Sequence, residues 1–310
     1  MKEGARERVL VTGGSGFIAS HVVEVFREAG FQVATTLRSA GKGAAAAHYA
    51  ARGVEVFEAD LTRAEGWAAA VAGCALVIHV ASPFQLNVKD GVRELIEPAV
   101  AGTRHVLEAC AAAGPQLRRV VLTSSVAAVG ESGPVPLTEE HWNEAATARE
   151  EPYARSKVEA ERLAWSFVGQ RKADLSWDLV VINPVGVFGP VLLPPPDEAA
   201  VNVSNQLLVK ILNRAYPGHP NFSFTAVDVR DCARAHLLAA TVAGARGRFI
   251  VCAGAASMAA AAGMLLEHVR LLPSSSAPFL LLFAGAGAGG ADPSALAHHS
   301  QLSGDCGGAL

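Results

Sequence analysis

The stretch Arg8-Val9-Leu10-Val11-Thr12-Gly13-Gly14-Ser15-Gly16-Phe17-Ile18-Ala19 decides the fold of this chain. Its first five residues form a short run of the β type, and three glycines follow within the next four positions. A helical pattern comes next, with Ile18, Val22 and Val25 spaced for one face and Gly30 placed to end it. The stretch therefore predicts a strand, a glycine turn and a helix in immediate succession.

The glycine turn matches two related spacings, G-x-G-x-x-A from Gly14 and G-x-x-G-x-x-A from Gly13. Glycines let the backbone approach a pyrophosphate, whose charge then rests on the amides and dipole of the following helix. An isolated match also occurs in ordinary βα turns, but its place between the first strand and a helix favours dinucleotide binding. The predicted cofactor contacts in this stretch are Gly13, Gly14, Ser15, Gly16, Phe17 and Ile18.

The rest of the chain repeats the alternation of strand and helix. Further strands are predicted at 31–37, 54–57, 75–80, 120–123, 179–182 and 248–251, with helical patterns between them. This order predicts an α/β fold, a Rossmann-type doubly wound parallel sheet. Prolines after Asn183 break the rhythm and indicate a smaller C-terminal substrate lobe. We expect an NADP-binding Rossmann domain at 1–183, which 223–251 rejoins, a lobe at 184–283 with an atypical end, and a low-complexity tail at 284–310.

Composition narrows the classes of partner. The 310 residues are 51% hydrophobic and 18% charged, with a formal net charge of −3, which disfavours both disorder and nucleic-acid binding. A charged start without an apolar leader, and apolar runs shorter than the roughly 20 residues that span a bilayer, predict a soluble, cytoplasmic protein without a membrane partner. We expect a monomer or homodimer with a small-molecule substrate. The cysteines contain no C-x-x-C pair and predict neither disulfides nor a metal site: Cys74, Cys110, Cys232, Cys252 and Cys306.

The end of the second strand selects the form of the dinucleotide. An acidic residue there would accept bonds from the adenosine ribose, whereas a cation accommodates a 2′-phosphate. This chain has Arg38 and then Lys42 at that place and no carboxylate, which favours NADP(H) over NAD(H), although a solvated loop arginine is the alternative. Asp60 and Leu61, just past the third strand, are placed to hold the adenine edge or to serve as an ordinary loop.

Two further segments carry groups suited to carbonyl chemistry. Tyr153 and Lys157 lie four residues apart and so share one face of a helix, where the cation favours the phenolate. An exposed helix pair is the alternative interpretation. Ser124 and Ser125 follow a buried strand, at the sheet edge where ligands bind, and could donate to an oxygen that gains negative charge.

Four segments together resemble the extended short-chain dehydrogenases/reductases: 12–19, 121–125, Tyr153-x-x-x-Lys157 and 183–190. Within that family the likeness is greatest to the branch of dihydroflavonol reductases, cinnamoyl-CoA reductases and yeast-type methylglyoxal/aldehyde reductases. It covers about residues 8 to 251. Nothing after that point resembles the family's C-terminal region.

The resemblance implies a role for each reacting group. Ser125 would orient the carbonyl, Tyr153 would donate the proton, and Lys157 would ease ionisation of the phenol and hold the nicotinamide ribose. It further implies cofactor contacts on the nicotinamide side from Val80, Ala81, Ser82, Pro184, Val185, Gly186, Val187 and Ser204.

Differences between this sequence and the family motifs limit the substrates that we expect. The segment 150–154, Glu-Glu-Pro-Tyr-Ala, replaces the Asn-Trp-Tyr-Cys-Tyr of cinnamoyl-CoA reductases, and Gly130 replaces an Asn or Asp of dihydroflavonol reductases. We therefore expect NADPH-dependent reduction of a small or medium aldehyde or ketone to the alcohol. One alternative is an NAD-dependent nucleotide-sugar epimerase or dehydratase, against which Arg38 argues. The other is a catalytically inactive dinucleotide-binding regulator, which the unmatched C-terminal region favours.

Overall fold

The computed structural model describes residues 6–39, 43–83, 88–130, 136–193, 202–213 and 222–270. Within these ranges the strands are β1 (Arg8–Val11), β2 (Gln32–Leu37), β3 (Glu55–Glu58), β4 (Leu76–His79), β5 (Arg119–Thr123), β6 (Asp178–Pro184), β7 (Gly186–Phe188), β8 (Ser223–Asp228), β9 (Gly247–Val251) and β10 (Gly254–Ser257). The α-helices are α1 (Phe17–Glu28), α2 (Ala44–Ala50), α3 (Trp67–Val71), α4 (Glu97–Ala111), α5 (Pro152–Gln170), α6 (Val203–Leu212), α7 (Val229–Thr241) and α8 (Met258–Arg270). None of these described helices combines the length and apolar character needed to cross a bilayer.

Seven strands form the main sheet in the order β3-β2-β1-β4-β5-β6-β9, and every pairing in it is parallel. The strand β2 pairs with one side of β1, and β4 pairs with the other side. The strand order therefore reverses beside β1, and open α/β sheets bind ligands outside the carboxyl ends of their strands at such a point. The predicted fold class, a doubly wound parallel sheet, is confirmed.

Both faces of the sheet are covered, as the apolar central strands require. Side chains alternate along β1, so Val9 and Val11 join the core under α1 and α7, and Leu10 joins the core under α3, α4 and α5. Phe26 anchors the first core, and Trp67 the second, and both are fully buried. The two cores hold the sheet rigidly enough for its edge to carry a site.

A second, three-stranded sheet lies beside the carboxyl end of the main one. In it β8 pairs with β7 in parallel and with β10 in antiparallel fashion, whereas β9 returns to the main sheet beside β6. Residues 254–270 form β10 and α8. The predicted tail at 284–310 lies outside the described residues, and the division into domains at 183 and 283 stays a prediction.

Candidate active site

The glycine turn after β1 has no room for side chains. Gly13 has φ +74°, in the left-handed region, and a Cβ there would lie 2.9 Å from the Cβ of Ala81. A Cβ on Gly14 would lie 2.4 Å from Oγ1 of Thr35. Both positions therefore require glycine, and the turn is held close to the segment that follows β4.

Hydrogen bonds from β2 and α2 hold this turn in place. The amide of Gly13 donates to Oγ1 of Thr36 at 2.9 Å, and the amide of Gly14 donates to the carbonyl of Thr36 at 2.9 Å. Tyr49 from α2 donates from its hydroxyl to the carbonyl of Gly14 at 2.5 Å, and burial raises the pKa of that phenol. Thr36 and Tyr49 were not predicted as site residues, because neither type marks a phosphate-binding turn by itself.

The tip of the turn and the start of α1 remain open. Ser15 and Gly16 are exposed, and the first bond within α1 runs from the amide of Ser20 to the carbonyl of Gly16. The amides of Phe17 and Ile18 therefore have no partner within the helix, as is general for a first helical turn. Two free amides at a helix N-terminus form a suitable place for a pyrophosphate.

The predicted adenosine side lies at the ends of β2 and β3. Arg38 is exposed just past β2. Asp60 accepts from the amide and hydroxyl of Thr62, and these bonds, with a contribution from the Arg38 charge, lower the pKa of its carboxyl group. Leu61 is half-buried beside it. The structure thus brings Arg38 and Asp60 within electrostatic reach, and Lys42 lies outside the described residues.

The segment after β4 is tied to the glycine turn through a buried histidine. Nδ1 of His79 lies 2.9 Å from Oγ1 of Thr12, and the amide of Ala81 donates to that same hydroxyl at 3.0 Å. Burial lowers the pKa of His79 to about 3, so the ring is neutral and acts as a packing residue. Val80, Ala81 and Ser82 are half-buried at the edge above the turn.

The three predicted reacting groups lie in two neighbouring segments, the turn after β5 and the start of α5. Oγ of Ser125 accepts from the amide of Ala127 at 3.1 Å and so caps the 3-10 turn that follows β5. Tyr153 packs against Ala127 in a small apolar cluster. Nζ of Lys157 lies 5.8 Å from the centroid of the Tyr153 ring. The structure therefore places Tyr153 and Lys157 together beside the turn that Ser125 begins.

Lys157 faces inward. The residue is only 7% exposed, and burial lowers the pKa of its amine to about 8 against the opposing effect of the Glu161 carboxylate. It lines a small, partly open cavity between the ends of β4 and β5 and the helices α4 and α5. The hydroxyl groups of this cavity belong to Ser82, Thr103, Thr123 and Ser124.

Two buried polar atoms at this edge have no hydrogen-bond partner among the described residues. They are Oγ of Ser124 and Oδ1 of Asn183. Buried polar groups are nearly always satisfied, so each of these atoms indicates a place for a ligand or a water. The other end of the Asn183 amide is engaged, since Nδ2 donates to the carbonyl of Ser125 at 3.1 Å and to Oε2 of Glu161 at 3.0 Å.

The predicted nicotinamide side closes over the start of α1. Val185 and Val187 are buried and pack in one cluster with Phe17 and Ile18. The remaining predicted contacts on this side are Pro184 at the end of β6, Gly186 at the start of β7 and Ser204, half-buried in the first turn of α6. The structure joins 185–187 to the glycine turn, and the role of each residue in binding stays a prediction.

Comparison with known proteins places these features in a family. The chain is 39% identical over 252 residues to cinnamoyl-CoA reductase CAD2 of Medicago truncatula, with 77% of this chain and 74% of the relative covered. It is 36% identical over 259 residues to a putative NADPH-dependent methylglyoxal reductase, GRP2, of Candida albicans, with 74% and 73% covered. Both relatives fall in the branch that the sequence motifs predicted.

Solved structures agree with the sequence relatives. The crystal structure of yeast methylglyoxal/isovaleraldehyde reductase Gre2 complexed with NADPH superposes with a TM-score of 0.75 at 27% identity, covering 85% of this chain and 82% of that one. Residues 9–253 match the model of the NAD dependent epimerase/dehydratase family. The chain is a member of that family, and the predicted relationship to the extended short-chain dehydrogenases/reductases is confirmed.

Proposed function

We propose that this protein reduces a small or medium aldehyde or ketone to the alcohol with NADPH, and that in reverse it acts on a CH–OH group. One observation carries the proposal. Tyr153 and the inward-facing Lys157 lie together on α5, beside the strand end that holds Ser125. Lys157 shares a cavity with Ala81, whose amide donates to Thr12 just before the glycine turn. Each of these groups serves a different need of carbonyl reduction.

The described residues suit NADPH. Gly13 and Gly14 leave a cradle that a Cβ would fill, and the amides of Phe17 and Ile18 can receive the pyrophosphate. Arg38 offers a planar donor fork at the place where a 2′-phosphate would lie. Two of the relatives described above carry NADPH in their names or structures, which agrees with this donor set.

The chain's own residues would activate the carbonyl. When bound, NADPH supplies the hydride that the carbonyl carbon accepts. Ser125 donates to the carbonyl oxygen and orients it, and Tyr153 transfers its phenolic proton to that oxygen as negative charge develops. The ammonium of Lys157 stabilises the phenolate that remains and can donate to the nicotinamide ribose. The products are an alcohol and NADP⁺.

The substrate class follows from the departures in sequence. When Tyr153 is matched to the catalytic tyrosine, the Tyr-Cys-Tyr of cinnamoyl-CoA reductases falls on Tyr-Ala-Arg at 153–155, so the first turn of α5 lacks their second aromatic side chain. A bulky thioester is therefore disfavoured even though one relative bears that name. Aldehydes and ketones of modest size, such as the methylglyoxal named for another relative, fit the proposal better.

Replacing the proton donor tests the proposal. Tyr153→Phe is expected to lower kcat by about 10²- to 10⁴-fold, the usual range for loss of a general acid. Steady-state NADPH oxidation with a panel of aldehydes and ketones measures this change, and NADPH fluorescence should show an affinity within a few-fold of the original. Turnover retained by this variant would refute the assignment.

Tyr49→Phe provides the matched control. It removes the same atom from another tyrosine, but one that supports the glycine turn through the carbonyl of Gly14. We expect it to weaken NADPH binding by roughly 3- to 10-fold through the lost hydrogen bond while kcat at saturating NADPH is kept. The two variants thus separate the site's chemistry from its binding of the cofactor.

A further inference from the structure

A carboxylate that the proposed mechanism does not use lies one helical turn beyond Lys157. Glu161 is 0% exposed, and both residues line the same cavity on the inner face of α5. Charged side chains are almost never fully buried unless they are paired. The complete burial of Glu161 therefore requires an explanation in terms of its partners.

Three donors from three elements surround this carboxylate. Nε of Arg248 on β9 donates to Oε1 at 2.6 Å, and Nε1 of Trp165 donates to the same oxygen at 3.1 Å. Nδ2 of Asn183 on β6 donates to Oε2 and also to the carbonyl of Ser125. Glu161 thus connects α5, which carries Tyr153 and Lys157, to the strand end that carries Ser125.

Lys157 and Glu161 form no direct ion pair, but the Glu161 carboxylate raises the pKa of the Lys157 amine electrostatically across the cavity that both line. On the side of β4, the buried His79 is neutral because its pKa is lowered to about 3. Among the described residues that line the cavity, α4 contributes Ala99 and Thr103, and β5 with the residue after it contributes Leu122, Thr123 and Ser124, none of them charged. The titratable neighbour on α5 itself is Tyr153, and the nearby cation of β9, Arg248, is paired with Glu161.

We propose that Glu161 is a positioning residue of the reducing site, which keeps the Lys157 ammonium charged and holds the Tyr153–Lys157 face of α5 in register with Ser125. This inference rests on the proposed function for its effect on turnover. The electrostatic part, the coupling of Glu161 to Lys157, can be measured without turnover.

The variant Glu161→Gln tests the proposal by removing the charge at nearly constant shape. Without the carboxylate, Arg248 and Lys157 are two buried cations, so Lys157 should lose its proton at a lower pH. The basic limb of the pH profile of kcat/KM should therefore move toward acid by about one pH unit. Competitive labelling of lysines with acetic anhydride, read by peptide mass spectrometry on the purified full chain without NADPH, should show the midpoint for Lys157 moving in the same direction.

Asp178→Asn is the matched control. Arg119 pairs with Asp178 through two bonds of 2.6 and 3.0 Å, and its side chain is 7% exposed, the same as that of Arg248. This pair lies at the opposite end of the sheet. The control should lower thermal stability and leave both the pH profile and the labelling midpoint of Lys157 where they were.

The outcomes separate the two proposals. An unchanged labelling midpoint in Glu161→Gln, with only a fall in melting temperature, overturns the role given to Glu161. Should that variant fail to fold, Glu161→Asp carries the test: its shorter carboxylate keeps the charge but withdraws from Asn183, and a kcat and basic limb equal to the original would overturn the inference. If the original chain reduces no carbonyl with NADPH, the proposed function fails, and the labelling experiment still decides the coupling.

Discussion

The two ends of the strands in the main sheet differ in how their polar side chains are satisfied. At the amino edge, Arg119 and Asp178 form a two-bond ion pair, and Arg8 pairs with Glu55 at 2.7 Å. At the carboxyl edge, Oγ of Ser124 and Oδ1 of Asn183 lack partners among the described residues. At the amino edge the charged side chains pair with one another and serve stability, although Nε of Arg8 has no partner among the described residues. At the carboxyl edge the unsatisfied atoms lie beside the cavity that Lys157 lines and are available to a ligand.

Of the changes compared between the two edges, the largest effect is expected in the glycine turn at the carboxyl edge, where a side chain has the least space. In Gly14→Ala the new Cβ would lie 2.4 Å from Oγ1 of Thr35 and 3.0 Å from the ring of Tyr49, so the turn must shift. We expect NADPH affinity, measured by fluorescence titration, to fall about 10- to 100-fold. Gly169→Ala in α5 meets no atom within 4 Å and should leave affinity unchanged. Equal affinity in the two variants would remove the turn from the binding site.

The amino edge should respond in stability and not in cofactor binding. Asp178→Asn leaves the buried Arg119 with its carbonyl partners Ala239 and Val242 but without its counter-charge. We expect a loss of about 1–3 kcal/mol in unfolding free energy, observed as a lower midpoint in urea. An accompanying change in NADPH affinity would show that the two edges are coupled, contrary to the comparison.

A smaller change is expected from the cation at the end of β2. Arg38→Ala removes the donor fork proposed for the 2′-phosphate, so NADPH should lose roughly tenfold in affinity while NADH is unaffected. The ratio of KM values for the two cofactors measures this. An unchanged ratio would mean that Arg38 does not contact the 2′-phosphate and that other residues determine the cofactor preference.

The smallest effect belongs to the exposed pair at the amino edge. The side chain of Glu55 is 50% exposed, and surface ion pairs contribute little. Glu55→Gln should therefore cost less than about 1 kcal/mol of stability, and the difference should vanish in 1 M salt, where such charges are screened. Thermal melts at low and high salt measure this difference. A loss of stability that persists in high salt would mean that the pair contributes more than a screened surface attraction.

The features that depend on neighbouring residues could be predicted from the sequence. Glycine spacing placed the turn between β1 and α1, and the four-residue separation of Tyr153 and Lys157 placed both on one face of α5. The helical pattern predicted between the strands at 75–80 and 120–123 begins with a π-helical turn at Val92–Ile96 before α4. That departure lies just before Pro98, which cannot donate to the helical ladder.

What the sequence could not provide depends on contacts between distant positions. Glu161 and Arg248 are 87 residues apart, and each alone resembles a solvated charge. The strand β10 has the sequence Gly-Ala-Ala-Ser, a composition without strand preference, and forms because β8 offers a free edge. Tyr49 lies in an alanine-rich run, and nothing in that run points to the turn that it supports.

Isotope transfer tests the central claim most directly. We expect the protein, given NADPH deuterated at the nicotinamide C4 position that donates, to deliver the deuterium to the carbinol carbon of the alcohol. The Tyr153→Phe variant should bind NADPH but make almost no labelled alcohol. An alcohol free of deuterium, or equal labelling by the two proteins, would contradict the assignment of carbonyl reduction to this edge of the sheet.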